Sequence, residues 1–375
     1  MKRITVFIIS LAIFITMPAT VYAQEKEISA KSSVLMCIDT GDVLIDNNSH
    51  ERLSLASVTK IMSLLLIFEA IDSGKINLDD MVTADENAVS KGGSQIWLEV
   101  GEQMSVSDLL KAVIIASAND ACTLLGEYVA GSESAFVELM NQKAGELGLK
   151  DTHFENCTGL DDSTNNHYSS AYDLAVISCE VMKYNIIRDY STVWLDSLRD
   201  GKTELNNTNK LVNTYDGITG LKTGTTSNAG FCISATASRD GLNLVSVVLG
   251  AQTSDDRFNL AASLLDYGFA NYKLEKLDID EALITPVKIN RGVIKEIVPA
   301  VYSDSAILIA KDITEFEYEY NIKESVEAPV KKGDTLGEII VKSGGKEVSK
   351  LTLHSDCDVQ RVDFKYIFTA LMKNI

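Results

Sequence analysis

Residues 55–72 read LASVTKIMSLLLIFEAID, a short polar turn followed by an almost unbroken apolar run. The run Val58–Ile71 predicts a long buried helix, which a Ser-Gly pair closes. One helical turn places Ser57 and Lys60 side by side at its start, among N–H groups that lack a helical partner. A serine becomes a nucleophile when a base takes its proton, and an amine can do so only when it is neutral. Burial beside another cation would lower the pKa of Lys60 enough for this role.

The segments on both sides of this helix predict an α+β domain. Short strand-like runs precede it, at Ser33–Asp39 and Asp42–Asp46. Helical periodicity follows it, and a hairpin and a last helix close the domain. These segments are Leu109–Ile115, Asp120–Val129, Ser134–Leu147, Ser170–Met182, the strands Phe231–Ser238 and Leu242–Leu249, and the helix of about Asp255–Tyr272. Strands at both ends of the domain indicate a mostly antiparallel sheet built from distant segments.

The first residues have the pattern of a signal peptide. Lys2 and Arg3 precede the apolar run Ile4–Thr16, and Val21–Ala23 supplies small residues at a cleavage site. The run is shorter than the roughly 20 apolar residues that span a bilayer. We therefore expect residues 1–23 to be removed and the protein to be exported.

The C-terminal third predicts two further units. Residues 276–357 carry alternating stretches and three of the four prolines, which indicates a small all-β domain after a main domain of residues 24–275. On a helix of residues 358–375, apolar side chains such as Phe364 and Phe368 line one side, and Lys365 and Lys373 line another. A helix of this kind either docks on its own domain or lies on a membrane surface, and we favour the membrane anchor.

Composition excludes several classes of protein. The chain has 375 residues, 46% of them hydrophobic, as expected for two or three globular domains. Its 53 Asp and Glu against 34 Lys and Arg give a net charge of -19, which disfavours nucleic-acid binding. Four histidines leave little room for a Ser-His-Asp triad, and neither a G-x-S-x-G nor an H-E-x-x-H motif is present, so we expect each histidine to be structural. The six dispersed cysteines have no metal-ligand spacing. We expect no metal and no cofactor, and we expect the cysteines to be core residues.

Two further motifs follow the S-x-x-K motif, which is weak evidence when it stands alone. Ser117-Ala118-Asn119 lies between two predicted helices, and Lys222-Thr223-Gly224 lies on the strand-like run Ile218–Thr226. In this order, the three motifs resemble those of the low-molecular-weight penicillin-binding proteins that are D-alanyl-D-alanine carboxypeptidases. The resemblance covers nearly the whole chain. It includes Gly93-Ser94, Thr158-Gly159-Leu160, His167-Tyr168-Ser169 and Ala229-Gly230.

The resemblance implies a β-lactamase/transpeptidase-like catalytic domain and a role for each matching residue. Ser57 would be acylated, Lys60 would accept its proton, and Ser117 would relay a proton to the leaving amine. Substrate would be bound by Asn119, Lys222, Thr223, Gly224, Thr225 and Arg257, with the amides of Ser57 and Thr225 as the oxyanion hole. For Arg257, a solvated helix charge is the alternative.

The implied activity is removal of the terminal D-alanine from peptidoglycan stem pentapeptides, with β-lactam antibiotics as covalent inhibitors. Leu55 stands where the family usually has proline, and Ala118 where it usually has glycine, so rate or loop rigidity can differ. Two alternatives stay open on the same fold: a β-lactamase, although no E-x-x-L-N segment is present, and a non-catalytic cell-wall-binding protein. Transfer to an amine instead of water is also open. The expected location is the outer face of the cytoplasmic membrane.

Overall fold

The computed structural model describes residues 30–161, 164–301, 306–364 and 366. Its first part alternates helices with strands. These elements are β1 (Ser32–Cys37), β2 (Val43–Asn47), α1 (Lys60–Asp72), β3 (Met81–Thr83), α2 (Glu86–Val89), β4 (Gln103–Ser105), α3 (Val106–Ile115), α4 (Asn119–Ala130), α5 (Glu133–Glu146), α6 (Ala171–Val181), α7 (Ile186–Ser191), β5 (Leu195–Leu198), β6 (Thr203–Asn206), α8 (Leu211–Thr214), β7 (Ile218–Thr226), β8 (Gly230–Arg239), β9 (Leu242–Ala251) and α9 (Ser254–Asn271).

A five-stranded antiparallel sheet organises this part, in the order β2-β1-β9-β8-β7. The N-terminal strand β1 pairs with β9, so that Met36 lies opposite Val245. The β8–β9 hairpin turns over Asp240 and Gly241, which have φ of 51° and 82°. Positive φ at both positions fits the twist of a two-residue hairpin. The predicted α+β class, with a sheet built from distant segments, is confirmed.

Hydrophobic cores lie on both faces of this sheet. Along β1, Val34 and Met36 pack into a core with α1, α4 and α6, whereas Leu35 and Cys37 face α9. This alternation is the two-residue period of a strand. Ten of the 13 residues of α1 are buried, as expected for a helix that is apolar on all sides. The helix that begins at Lys60 therefore lies at the centre of the larger core.

The first helix begins later than its periodicity predicts. Residues Ala56–Thr59 form a 3-10 turn, which we name the Ser57 turn, and α1 starts at Lys60. Ala56 has a φ of 50°, which no α-helix accommodates. Other segments pack closely against this turn, and local sequence periodicity does not predict such tertiary contacts.

The C-terminal part consists of short strands in three small sheets, ordered β10-β13, β12-β11-β15 and β14-β16-β17. The strands are β10 (Tyr272–Lys276), β11 (Val287–Asn290), β12 (Glu296–Ile297), β13 (Ala306–Ala310), β14 (Glu317–Ile322), β15 (Ser325–Glu327), β16 (Thr335–Ser343) and β17 (Lys346–His354). Their apolar side chains form small cores of their own. The predicted small β domain is confirmed. Strand β10 continues directly from α9 and spans position 275, where we placed the domain boundary.

The predicted signal peptide and most of the predicted tail helix lie outside the described residues. The beginning of the tail is extended, since Val359 and Arg361 form β-bridges with Val330 and Gly292. The helix therefore does not begin at residue 358 as predicted, because these residues complete the β domain. Within the described ranges, no helix is both long and apolar enough to cross a bilayer.

The cysteines are unpaired, as a core assignment predicts. Five of the six side chains are buried, and Cys357 is half-buried. They contribute small apolar volumes to the packing.

Candidate active site

Ser57 lies on its 3-10 turn at the N-terminal end of α1. Its side chain is half-buried, whereas its neighbours on the turn are buried. Its Oγ accepts a hydrogen bond of 2.9 Å from Nζ of Lys60. The S-x-x-K spacing thus brings the two side chains into contact.

Lys60 is fully buried, and all three of its N–H donors are satisfied. Besides Ser57, its Nζ donates to Oδ1 of Asn119 at 2.6 Å and to the carbonyl of Thr158 at 2.8 Å. Burial lowers its pKa from 10.5 to about 8. A substantial fraction of the amine is then neutral near neutral pH, so that it can accept a proton from Ser57.

Ser117 ends the loop between α3 and α4 in a strained conformation. Its φ is 63°, which is uncommon for a residue other than glycine. Its Oγ is buried and has no hydrogen-bond partner within the described ranges. Strain and an unsatisfied hydroxyl at one residue both cost free energy, and both are typical of functional sites.

Asn119 connects this loop to Lys60. Besides accepting from Lys60, its side chain donates from Nδ2 to the carbonyl of Gly92 at 2.7 Å. Its backbone amide donates to the carbonyl of Ser94 at 2.7 Å. The structure therefore gives Asn119 a role in positioning Lys60, beside the substrate contact that the resemblance implies.

Strand β7 lies at the edge of the sheet and packs directly against the Ser57 turn. A Cβ on Gly224 would lie only 2.8 Å from the carbonyl oxygen of Leu55 and from the amide nitrogen of Ser57. Only glycine allows two backbones to approach this closely. The turn and the strand thus form adjacent walls of one cleft, with the unpaired edge of β7 beside Ser57.

Strand β7 carries Lys222, Thr223 and Thr225. Lys222 is buried, and its Nζ donates to the carbonyl of Thr223 at 3.1 Å. Burial, followed by the positive charges of Lys60 and Arg257, holds its pKa well below the usual range. Oγ1 of Thr223 donates to Thr208 at 2.8 Å.

Arg257 reaches this strand from the first turn of α9. Its Nη1 donates to the carbonyl of Gly224 and to Oγ1 of Thr225, both at 2.9 Å. Its guanidinium also lies over the rings of Phe231 and Phe258, at 5.5 and 4.7 Å from their centroids. The residue is only 7% exposed, and burial lowers its pKa to about 10. This burial excludes the alternative of a solvated surface charge.

The turn of residues 156–159 also holds Lys60, although the sequence analysis gave it no role. Oδ1 of Asn156 accepts the amides of Thr158 and Gly159, at 3.1 and 2.7 Å, and so shapes the turn that presents the Thr158 carbonyl. An Asn whose side chain accepts amides two and three residues later is a turn signal that the sequence does contain. Its contact with Lys60 depends on tertiary structure.

Sequence reasoning also missed Asp120. Its buried carboxylate accepts the amides of Ile96 and Leu98, each at 3.1 Å. Asp120 thereby fixes the loop that contacts Asn119. Backbone amides from a distant loop cannot be inferred as partners from spacing alone.

The arrangement can perform acyl transfer on a substrate that carries a carboxylate. Ser57 has a buried amine within hydrogen-bond distance, Lys222 lies on the facing strand, and the guanidinium of Arg257 reaches that strand from α9. The cleft is therefore lined by basic groups in a chain whose net charge is -19. Buried cations of this kind attract an anionic group of a substrate.

Two family models match the chain. One, described as D-alanyl-D-alanine carboxypeptidase, matches residues 19–253. The other, described as the C-terminal domain of penicillin-binding protein 5, matches residues 285–361.

Individual relatives extend over most of the chain. The D-alanyl-D-alanine carboxypeptidase DacF of Bacillus subtilis is 41% identical over 340 residues, which is 89% of this chain and 87% of the relative. The crystal structure of penicillin binding protein 5 from Haemophilus influenzae is 31% identical, with a TM-score of 0.80 over 89% of this chain and 98% of that chain. A Streptomyces DD-transpeptidase structure, 28% identical with a TM-score of 0.59, matches over 64% of this chain and 98% of its own.

Proposed function

Because the chain belongs to the D-alanyl-D-alanine carboxypeptidase family of serine peptidases, we propose that it removes the terminal D-alanine of peptidoglycan stem pentapeptides through an acyl-enzyme on Ser57. The observation that carries this assignment is the 2.9 Å contact between Ser57 Oγ and the buried Lys60 amine. A serine and an amine in this contact form a nucleophile and its base. The protein is thus a serine-type carboxypeptidase, and the residue roles below are our proposal.

Acylation begins when the neutral amine of Lys60 takes the proton of Ser57. Oγ then bonds to the carbonyl carbon of the penultimate D-alanine, and the amides of Ser57 and Thr225 stabilise the negative oxygen that forms. The carbon–nitrogen bond breaks as the proton taken up by Lys60 passes through the Ser117 hydroxyl to the departing amine, which restores the hydroxyl of Ser117 and the neutral amine of Lys60. Water then hydrolyses the ester, which releases the shortened peptide and restores Ser57.

Substrate orientation depends on the free edge of β7. A peptide can lie along this edge as an added strand, with its terminal carboxylate near Thr223 and Thr225. Arg257 holds Oγ1 of Thr225 in place, and a bound carboxylate favours the charged form of the buried Lys222 amine. Asn119 holds Lys60 and keeps one N–H for the substrate's amide. Gly224 is required because its close approach leaves no room for a side chain.

The partners of the protein follow from this activity. Peptidoglycan stem peptides are its substrates, and β-lactams acylate the same serine. Since peptidoglycan lies outside the cytoplasmic membrane, the protein acts after export. We further propose that residues 1–23 direct this export and that the amphipathic tail binds the outer face of the membrane, because its apolar and basic residues separate onto different sides of a helix. The four-segment division with boundaries at 23, 275 and 357 stays a prediction.

The test is intact-mass spectrometry of the protein without its signal peptide, incubated with benzylpenicillin over time. We expect one long-lived adduct on Ser57, and release of D-alanine from a soluble D-Ala-D-Ala peptide. Ser57→Ala should abolish both and keep the wild-type circular dichroism spectrum. Ser54→Ala changes a serine three residues earlier and should leave both unchanged.

Other outcomes of this test contradict the proposal. An adduct that disappears within seconds would indicate a β-lactamase. A folded protein that forms no adduct would indicate a non-catalytic wall-binding protein. Adding an amine acceptor to the peptide assay separates hydrolysis from transpeptidation, the activity named for the Streptomyces relative.

A further inference from the structure

His167 lies against the Ser57 turn and is only 8% exposed. Its Nε2 is 2.8 Å from Oγ1 of Thr59, which stands between Ser57 and Lys60 in the sequence. Its Nδ1 accepts the backbone amide of Glu155 at 3.0 Å. Because Nδ1 accepts, the proton of the neutral ring is on Nε2, and this proton is donated to Thr59.

The segment from Glu155 to Gly159 is thereby attached to the Ser57 turn at both ends. At one end, His167 links the Glu155 amide to Thr59. At the other end, a Cβ on Gly159 would lie 1.8 Å from the Ala56 carbonyl oxygen and 2.8 Å from Oγ1 of Thr59, so the two backbones are in direct contact. Between the two attachments, the carbonyl of Thr158 accepts from Lys60.

We propose that His167 is a positioning residue for acylation: through its Nε2–H bond to Thr59, it fixes the Thr158 carbonyl against the Lys60 amine. The inference rests on the proposed function, since it concerns the base of that reaction. His167 touches neither Ser57 nor Lys60, so it acts through Thr59 and the Glu155–Gly159 segment. The four-histidine count had suggested a structural role for each, and this one has a specific task.

The protonation state of His167 supports this task. Burial lowers its pKa to about 4, and the groups that act on it electrostatically are Glu155, His153 and Asp161. The edge of its ring also packs against Phe154. The ring is therefore neutral above about pH 5, with one donor and one acceptor. A proton on Nδ1 would set two N–H groups against each other at Glu155.

Two substitutions separate the two contacts of the ring. A glutamine amide reaches the position of Nε2, so His167→Gln keeps a donor for Thr59. An asparagine carbonyl overlaps Nδ1, so His167→Asn keeps the acceptor for Glu155 and loses the donor. His167→Gln also loses the acceptor for Glu155, so each variant breaks one of the two bonds that link Glu155 to Thr59. We therefore expect penicillin acylation of both variants to be slower by ~10–100-fold, the effect of displacing a reactive group by about 1 Å.

The pH dependence of acylation supplies the readout that a purely structural role would not change. Loosening the Thr158 carbonyl removes an acceptor of the charged amine, which lowers the pKa of Lys60. In a plot of acylation rate against pH, the rising limb should therefore move to lower pH in both His167→Asn and His167→Gln. Thr59→Val removes the acceptor of the Nε2–H bond, so its acylation rate should match that of His167→Asn. In the double variant the two effects should not add, because both changes remove the same bond. This variant also keeps the test decisive if His167→Asn does not fold.

Ser178→Ala is the matched control, because it removes buried hydrogen bonds of 2.7 Å to the Leu174 carbonyl and 2.8 Å to Oγ of Ser234, neither of which involves the Ser57 turn. It should lower the melting temperature and leave acylation unchanged. The inference is overturned if either His167 variant acylates like wild type, or if both variants acylate more slowly with no shift of the rising limb. In either case Ser57 still forms its adduct and the proposed function stands. If the wild-type protein forms no adduct, both the proposed function and the role of His167 are wrong.

Discussion

Burial of the Lys60 amine opposes folding and at the same time creates the base. A fall in pKa from 10.5 to about 8 corresponds to roughly 3 kcal/mol against the folded state while the amine is charged. This cost is complete below pH 8. It declines between pH 8 and 10.5, where the folded state loses its proton before the unfolded state does, so this group makes stability rise with pH over that window. Three hydrogen bonds offset part of the cost.

The pH dependence of acylation follows from the same residue. Since only the neutral amine accepts the proton of Ser57, the rate of penicillin acylation should rise with pH and reach half its maximum near pH 8. Stopped-flow measurement of adduct formation between pH 6 and 10 tests this. A rate that is flat across this range, with the protein folded throughout, would show that Lys60 is not the base.

Single residues differ in how far the sequence predicts them. Ser57 and Lys60 could be paired from spacing alone, because one helical turn decides their distance. Arg257 was left between two interpretations, since its burial depends on aromatic rings from β8 and α9. The contact of the Thr158 carbonyl with Lys60 could not be predicted, because every residue has a backbone carbonyl whatever its side chain.

At the scale of elements, the cleft depends on how closely β7 approaches the Ser57 turn. Substituting Gly224 by alanine would place Cβ 2.8 Å from two backbone atoms, neither of which can rotate away. We expect Gly224→Ala to slow penicillin acylation by at least ~100-fold, because a shift of about 1 Å misaligns nucleophile and oxyanion donors.

The control for this change is Gly145→Ala, in the helix α5. A Cβ there meets nothing within 4 Å, so alanine should stabilise the helix by about 0.5–1 kcal/mol and leave acylation unchanged. Thermal melting and adduct formation measure both effects. A wild-type acylation rate in Gly224→Ala would contradict this prediction, because it would show that β7 can move away from the Ser57 turn without slowing acylation.

Elements with strong periodicity were predicted well, and short polar ones were not. Ser105 caps α3 by accepting the amide of Asp108, as the capping signature indicates. The hairpin of β5 and β6 went unpredicted, because four-residue strands such as Leu195–Leu198, with LDSL, carry little apolar alternation. The start of α1 was displaced because tertiary contacts shape the Ser57 turn.

At the scale of the molecule, every proposed catalytic or binding residue precedes the C-terminal domain, and attachment to the membrane is assigned to the tail. Ending the chain after Val362 removes residues 363–375 and keeps the bond from the Val362 amide to Arg291. In sedimentation with anionic lipid vesicles, the full mature chain should pellet and the shortened chain should stay in solution, with the same acylation rate. A shortened chain that still pellets would place the membrane contact elsewhere.

The pairing of β1 with β9 also decides when during its synthesis the protein becomes reactive. Strand β1 is among the first folded residues made, but Met36 must wait for Val245 before the centre of the sheet exists. Loop closure over such a separation makes this a late folding event. The Ser57 turn emerges early from the ribosome and lacks its facing wall until β7 and β9 follow. A nascent chain therefore has Ser57 and Lys60 long before it has the strand that completes their site.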